Sequence, residues 1–414
     1  MKTEFKEGYK EQTEMDSIPS KWETKTVGEL FTFQGGQQPP RKYFSSEKKE
    51  GYIRLIQIRD YKTDKYLTYI PKEMAKRFCD ETDIMIGRYG PPVFQILRGL
   101  AGSYNVALIK AIPNEKKLLK EYAYYFLCKE ELFKLIDHLS QRSSGQTGVD
   151  MDALKNYPLP LPPLEEQQRI AEILSTTDEQ IDNTEQLIQK TKELKKGLMQ
   201  QLLTKGIGHT EFKQSELGEI PELWNVYTLR DLIRIRGGAS PSKMGVLSSI
   251  GKYPFYKVND LNFTKKYLNK SIFNFENLSF EEIKENSIIF PKRGASIFTN
   301  KIALVSRSGY MDTNLMALEI NNSSNLYHEY LFYLLSFRGL VEFADTSSVP
   351  QINNKHIELI RLAIPPLREQ QKIADILSTI DEQIETYEQE KEKQIELKKG
   401  LMQQLLTGKV RVTV

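Results

Sequence analysis

The stretch KKGLMQQLLT occurs at Lys195–Thr204 and again, unchanged, at Lys398–Thr407, 203 positions later. Identity over a fixed long period marks a unit used twice. Working outward, Pro162–Thr204 (PPLEEQQRIAEILSTTDEQIDNTEQLIQKTKELKKGLMQQLLT) aligns without a gap to Pro365–Thr407 (PPLREQQKIADILSTIDEQIETYEQEKEKQIELKKGLMQQLLT), with 31 of 43 positions identical. The start of each half recurs as well: SIPSKWETKTVGELFTFQGG from Ser17 matches EIPELWNVYTLRDLIRIRGG from Glu219 at an offset of 202.

Each repeated segment reads as a long helix. Paired prolines end what precedes it, Glu165 and Glu166 place negative charge on the first turn, and no proline follows for about forty residues. Ile170, Leu174, Thr177, Ile181, Thr184, Ile188, Leu198 and Leu202 recur at spacings of mostly four and three, with a polar gap around Thr191 and Lys195. Ile373, Leu377, Ile380, Ile384, Leu401 and Leu405 repeat the pattern, broken near Lys391. So narrow a stripe suits a helix pair, and at 1.5 Å per residue each helix would reach about 60 Å. Gly197 and Gly400 break helix propensity and point to a close crossing or a kink.

The intervening segments differ in sequence but share an outline. Residues 25–112 and 226–320 hold short runs rich in β-branched and aromatic residues between Gly, Pro and Asn turns. One helical stretch then follows in each half, LLKEYAYYFLCKEELFKLIDHL and LYHEYLFYLLSFRGLVEFA. The whole chain of 414 residues carries only +3, yet residues 31–110 hold 14 Lys plus Arg against 8 Asp plus Glu, and residues 225–310 hold 14 against 6. Basic side chains interleaved with Tyr, Phe, Gln and Asn suit a surface that neutralises phosphates and reads base edges.

Other classes find little support. Cys79 and Cys128 stand in no metal or disulfide spacing, the N-terminus is charged where a signal peptide would be apolar, and no apolar run approaches the roughly 20 residues of a membrane span. A soluble cytoplasmic protein is expected. His138, His209, His328 and His356 stand alone, and no Gly-rich triphosphate loop occurs. The YGPPVF stretch at Tyr89–Phe94 has Gly90 and Val93 where an adenine methyltransferase loop needs a polar residue and an aromatic one, so it reads as a turn.

Two variable basic domains, each followed by a near-identical helix opened by PPLEEQQRIAEIL or PPLREQQKIADIL and closed by KKGLMQQLLT, resemble the specificity subunit of a type I restriction-modification enzyme. The resemblance covers essentially the full chain. It implies an α+β fold in which two sheet-rich target-recognition domains are joined by two long antiparallel coiled-coil helices with an internal pseudo-twofold repeat. The expected boundaries are a first recognition domain at 1–160, a central helix at 161–208, a second recognition domain at 209–363 and a C-terminal helix at 364–414. It further implies that each domain reads one half of a split site in double-stranded DNA, that the helices set the spacing, and that two adenine-N6 methyltransferase subunits dock on them. Restriction subunits that translocate DNA would join that core. The chain itself is then non-catalytic and without a cofactor, S-adenosylmethionine, ATP and magnesium belonging to the partners. A coiled-coil scaffold without DNA readout and a stand-alone DNA-modifying enzyme remain open as alternatives.

Candidate reading positions come from aligning the halves. IQIRDY (Ile56–Tyr61) lies over YKVNDL (Tyr256–Leu261), so Gln57 and Arg59 correspond to Lys257 and Asn259. Arg, Gln and Asn make bidentate contacts to guanine or adenine, and here they differ between halves as base-reading positions should. GRYG at Gly87–Gly90 matches PKRG at Pro291–Gly294, adding Arg88, Lys292 and Arg293. The polar stretches ahead of each long helix add Ser144, Gln146, Gln351 and Asn353, and Arg41 and Arg54 complete the basic set of the first domain.

Overall fold

The computed structural model describes residues 18–142, 148–240, 250–275, 281–321 and 326–412. The repeated segments are continuous helices, the central one Leu164–Lys205 and the C-terminal one Leu367–Leu405. The chain divides into two compact units, residues 1–184 with 390–414 and residues 185–389. This division does not follow the expected boundaries at 160, 208 and 363. It cuts both helices, because a narrow apolar stripe must be buried against a second element, and the nearest domain and the opposing helix supply it together.

Inside each unit the helix segments run antiparallel. In the first unit Glu166 meets Arg411 at 2.8 Å and Asp178 is bonded by Lys398, so the partner number falls as the helix advances. In the second, Glu369 meets His209 at 2.8 Å and Asp381 meets Lys195 at 2.6 Å. Tyr125 donates to Asp178 at 2.8 Å and Tyr333 donates to Asp381 at 2.9 Å, tying each seam to its own domain.

The duplicated Pro-Pro-Leu-x-Glu-Gln opening has an internal role. Trp22 Nε1 donates to Glu166 at 2.9 Å and Trp224 Nε1 to Glu369 at 3.2 Å. The fully buried Gln167 accepts from Leu119 N–H at 2.8 Å and donates to the Pro162 carbonyl at 2.8 Å. Gln370 does the same with Tyr327 N–H at 2.8 Å and the Pro365 carbonyl at 2.9 Å. A buried amide must have its bonds met, so this motif latches helix start to domain.

The expected stripe is buried except at Ile181, Leu198 and Leu401, which are half-buried, and it has one addition and one correction. Thr191 does not interrupt it: the side chain is buried, its hydroxyl donating to the Leu187 carbonyl at 2.7 Å. Gly197 and Gly400 are not at a close crossing, since a Cβ on either would meet nothing within 4 Å, and both helices continue through them.

The domains repeat one plan. The first has an antiparallel sheet in the order Phe31–Gly35, Leu108–Pro113, Ile84–Gly87, Gln95–Leu97, and a mixed sheet in the order Tyr69–Pro71, Tyr52–Ile56, Gly102–Tyr104, Phe78–Cys79. The second orders Ile233–Gly237, Leu315–Ile320, Ile288–Pro291, Ala303–Val305 and Tyr267–Leu268 in one sheet, and centres another on Tyr253–Tyr256. In both, the strand before the candidate reading positions pairs in parallel, Leu55 with Ser103 and Phe255 with Tyr310. Each expected helical stretch is in fact broken. Lys120–Leu127 ends at Cys128 before Glu130–Arg142 begins, and His328–Arg338 stops at Gly339, whose φ of 84° leaves the helical region that other residues would hold. Domain and helix share one core in each unit, Trp22, Tyr122, Leu174 and Leu406 in the first, Trp224, Tyr330, Leu377 and Leu203 in the second.

Candidate nucleic-acid interface

Four separate segments are joined by main-chain hydrogen bonds along one edge of each domain. In the first unit Asn105 N–H donates to the Ile56 carbonyl at 3.1 Å, Arg88 N–H to Ala107 at 2.8 Å, and Val149 N–H to Arg88 at 3.1 Å. In the second, Asp312 N–H donates to Tyr256 at 2.9 Å, Lys292 N–H to Asn314 at 2.9 Å, and Ile352 N–H to Lys292 at 2.9 Å. The same ladder is made from different sequences. It brings the two matched motifs and the end of the polar stretch before each long helix to one place.

Local chemistry shapes the edge. Gln57 and Lys257 each precede a 3-10 turn, and the carboxylates of Asp60 and Asp260 accept from their N–H groups at 3.1 and 2.8 Å. Both carboxylates are buried, and burial pushes the Asp60 carboxyl above its ordinary range despite the Gln57 N–H and the nearby Arg54. Gly294, at φ 84°, turns the second loop back so that its N–H reaches the Pro350 carbonyl at 2.9 Å.

The candidate side chains divide into those on this edge and those elsewhere. Arg59 is exposed, lying 5.6 Å from the Tyr66 ring and donating to the Tyr66 carbonyl at 3.3 Å. Arg88 is exposed beside Tyr89, 5.1 Å from its ring. Gln57 is half-buried and donates to Thr68 Oγ1 at 3.0 Å, so only part of its amide faces outward. Lys257 lies 3.7 Å over Phe273, while Asn259, Arg293 and Gln351 are exposed, the last two forming a backbone bridge. Asn353 caps the turn Asn354–Glu358, accepting from His356 N–H at 3.2 Å. Lys292 is half-buried, and its ammonium is held below the ordinary lysine range by burial and then by Arg293.

Arg54 and Arg41 take no part in the main-chain ladder of this edge. Arg54 is engaged internally, 3.0 Å from Asp64 and 3.8 Å from the buried Asp60, with a side chain only 20% exposed. Arg41 opens a separate 3-10 turn, Arg41–Tyr43. Ser144 and Gln146 lie outside the described residues. Asn105 and Asn314 belong to the edge but carry no pattern that reading one strand at a time could find. Among the described residues no group of three or more His, Cys, Asp or Glu is placed to hold a metal ion, and no helix is long and apolar enough to cross a membrane.

Comparison with known proteins agrees with this arrangement. The family model for the type I restriction modification DNA specificity domain matches twice, over residues 19–193 and 221–397. A putative type I restriction enzyme MjaX specificity subunit from Methanocaldococcus jannaschii is 28% identical over 99% of this chain and 98% of its own length. The MjaVIII specificity subunit of the same organism is 28% identical over 95% and 94%. Two solved structures share the fold: the S subunit of a type I system from M. genitalium, with TM-score 0.57 at 17% identity over 96% of this chain and 98% of that one, and a chain from a study of complex assembly and conformational transition of the type I R-M system, with TM-score 0.59 at 16% identity over 95% and 100%.

Proposed function

The chain belongs to the type I restriction modification DNA specificity family, matched by that family's model in both halves, and from this premise we propose that it is the non-catalytic subunit that reads a bipartite target in double-stranded DNA. One observation carries the reading. Two edges with the same main-chain ladder present different polar and basic side chains, Gln57, Arg59 and Arg88 in one unit and Lys257, Asn259, Lys292 and Arg293 in the other. A constant frame with variable donors and acceptors is what two readers of unlike half-sites require, because base identity is displayed as a hydrogen-bonding pattern in the major groove.

The helices supply the second part of the proposal. Each unit combines the first half of one repeat helix with the last half of the other, so each offers the same residues to a partner, including the exposed pairs Ile173 with Leu397 and Ile376 with Leu194. Identical surfaces fit identical adenine methyltransferase subunits, one per unit, which bring S-adenosylmethionine; restriction subunits bring ATP and magnesium. The antiparallel seam fixes the distance between half-sites.

Exchange of a domain tests this. Replacing residues 25–160 with the recognition domain of another specificity subunit, then mapping methylated adenines in cells that also make the methyltransferase, should alter one half of the motif and leave the other and the spacing unchanged. A change in both halves, or no methylation motif dependent on this chain, would defeat the proposal.

A further inference from the structure

Two aromatic rings of the second unit stand in solvent beside its basic edge. Phe263 closes the 3-10 helix Val258–Phe263 and is 84% exposed; Phe298 follows the turn Ala295–Ile297 and is 57% exposed. Neither belongs to a loosely held loop. Leu261, two residues before Phe263, is buried in a cluster with Ile289, and Ile297, next to Phe298, is fully buried in the main core of the unit. Each turn is therefore anchored by one apolar residue and holds the next one outward. Lys301 ties the two turns together through a hydrogen bond to Asn262.

The first unit lacks this arrangement. In the alignment that pairs Gln57 with Lys257, Thr63 takes the position of Phe263, and in the alignment of GRYG with PKRG, Phe94 takes that of Phe298. Phe94 is 1% exposed and packs in the core. Only the second reader turns both rings out, forgoing the burial that normally draws an aromatic side chain inside.

We propose that Phe263 and Phe298 form a wedge that enters the DNA half-site read by the second unit and unstacks one of its base steps. This rests on the DNA-reading function given above. The occupant is identified by charge: Lys257, Asn259, Lys292, Arg293 and Lys301 share these turns and the adjoining edge, and an apolar protein surface would have to strip water from four cations without compensation, whereas a duplex supplies phosphates for the cations and base faces for the rings. Apolar wedges between base steps trade lost stacking for a bent duplex that offers more contact, and the trade depends on which step is opened. The second half-site would accordingly be read in part by deformability, whereas the exposed rings beside the first edge, Tyr66 and Tyr89, lie against Arg59 and Arg88.

The full chain with its methyltransferase subunits, bound to a duplex carrying the mapped motif with 2-aminopurine placed singly at each adenine of either strand except the adenine methylated in each half-site and its stacked neighbours, which the methyltransferases disturb by extruding their target, tests the wedge. Wild type should raise the fluorescence at one step of the second half-site and none of the first. Phe263→Ala combined with Phe298→Ala should remove that rise and weaken binding about tenfold or more, while the salt dependence of affinity stays the same because no phosphate contact is lost. Both rings are exposed, so the melting temperature of the double variant should match wild type, and Phe263→Trp should keep the fluorescence rise. Selective binding and fluorescence indifferent to the double substitution would overturn the wedge alone, as would loss of the methyltransferase subunits with DNA binding intact. Wild type that does not prefer motif DNA would overturn the DNA-reading function and the wedge with it.

Discussion

The two long helices and the two sheet domains of this chain obey different rules. The helices keep 31 of 43 residues identical, whereas the domains keep a hydrogen-bonding plan and little of their sequence. The difference follows from what holds each shape. In the helices the side chains make the structure: Glu166, Glu369, Asp178 and Asp381 each need a complementary partner from the other repeat, and Gln167 and Gln370 each need one from their own domain. At the domain edge the main chain makes the structure, and main-chain groups are the same in every residue. Side chains there are released from holding the frame, which leaves them free to differ.

Substitution in the helices should therefore act alike in both units. Leu174→Ala and Leu377→Ala remove equivalent fully buried side chains, and each should cost about 2–5 kcal/mol in denaturant unfolding. Unequal losses, with one variant near wild type, would show that the repeats are alike in sequence but not in packing.

At the edges substitution should act on one unit only. Lys292→Met should weaken binding of motif DNA by about 1–3 kcal/mol if its contact is to a base, and alter only the second half of the methylated motif. The pH dependence sharpens this. Burial and Arg293 hold the Lys292 ammonium below its ordinary 10.5, and an arriving duplex favours the charged form, so binding takes up a proton. Affinity should be full at neutral pH and decline as pH rises through the lowered value, and the Met variant should lose that decline. A titration showing the same alkaline loss in wild type and variant would remove Lys292 from the reading surface.

The smallest expected effect concerns the two helix glycines. Because a Cβ at Gly197 or Gly400 meets nothing within 4 Å, Gly197→Ala and Gly400→Ala should each stabilise the chain by about 0.5–1 kcal/mol. Their presence in both copies then has no cause inside the chain. Copurification of methyltransferase subunits with the alanine variants measures whether the cause is outside it: a more stable chain that no longer retains its partner places the docking surface at these turns, and one that retains it fully does not.

Much of this was legible from residue order alone. The duplication, the helix limits near Pro162 and Pro365, the apolar stripe and the basic character of residues 31–110 and 225–310 are properties of local spacing and composition, and a helix with a 3.6-residue period declares itself within a few turns. The alignment set Gln57 over Lys257, but that both precede a 3-10 turn capped by an aspartate three residues on emerged only from the fold. Other features required the folded chain. Arg54 has the same composition signal as Arg59 and lies at the same 3.8 Å from Asp60, and only the folded chain shows its side chain 20% exposed against 52% for Arg59. Thr191 looked like a gap and is buried, since a threonine hydroxyl can bond back along its own helix. The reading edge itself is assembled by hydrogen bonds between residues as far apart as Ile56, Asn105 and Val149, and no local period records such pairings. Whether a phenylalanine is core, as Phe94, or solvent-facing, as Phe298, was likewise settled by tertiary structure, because the ring's chemistry is the same in both places and only the neighbours that do or do not cover it differ.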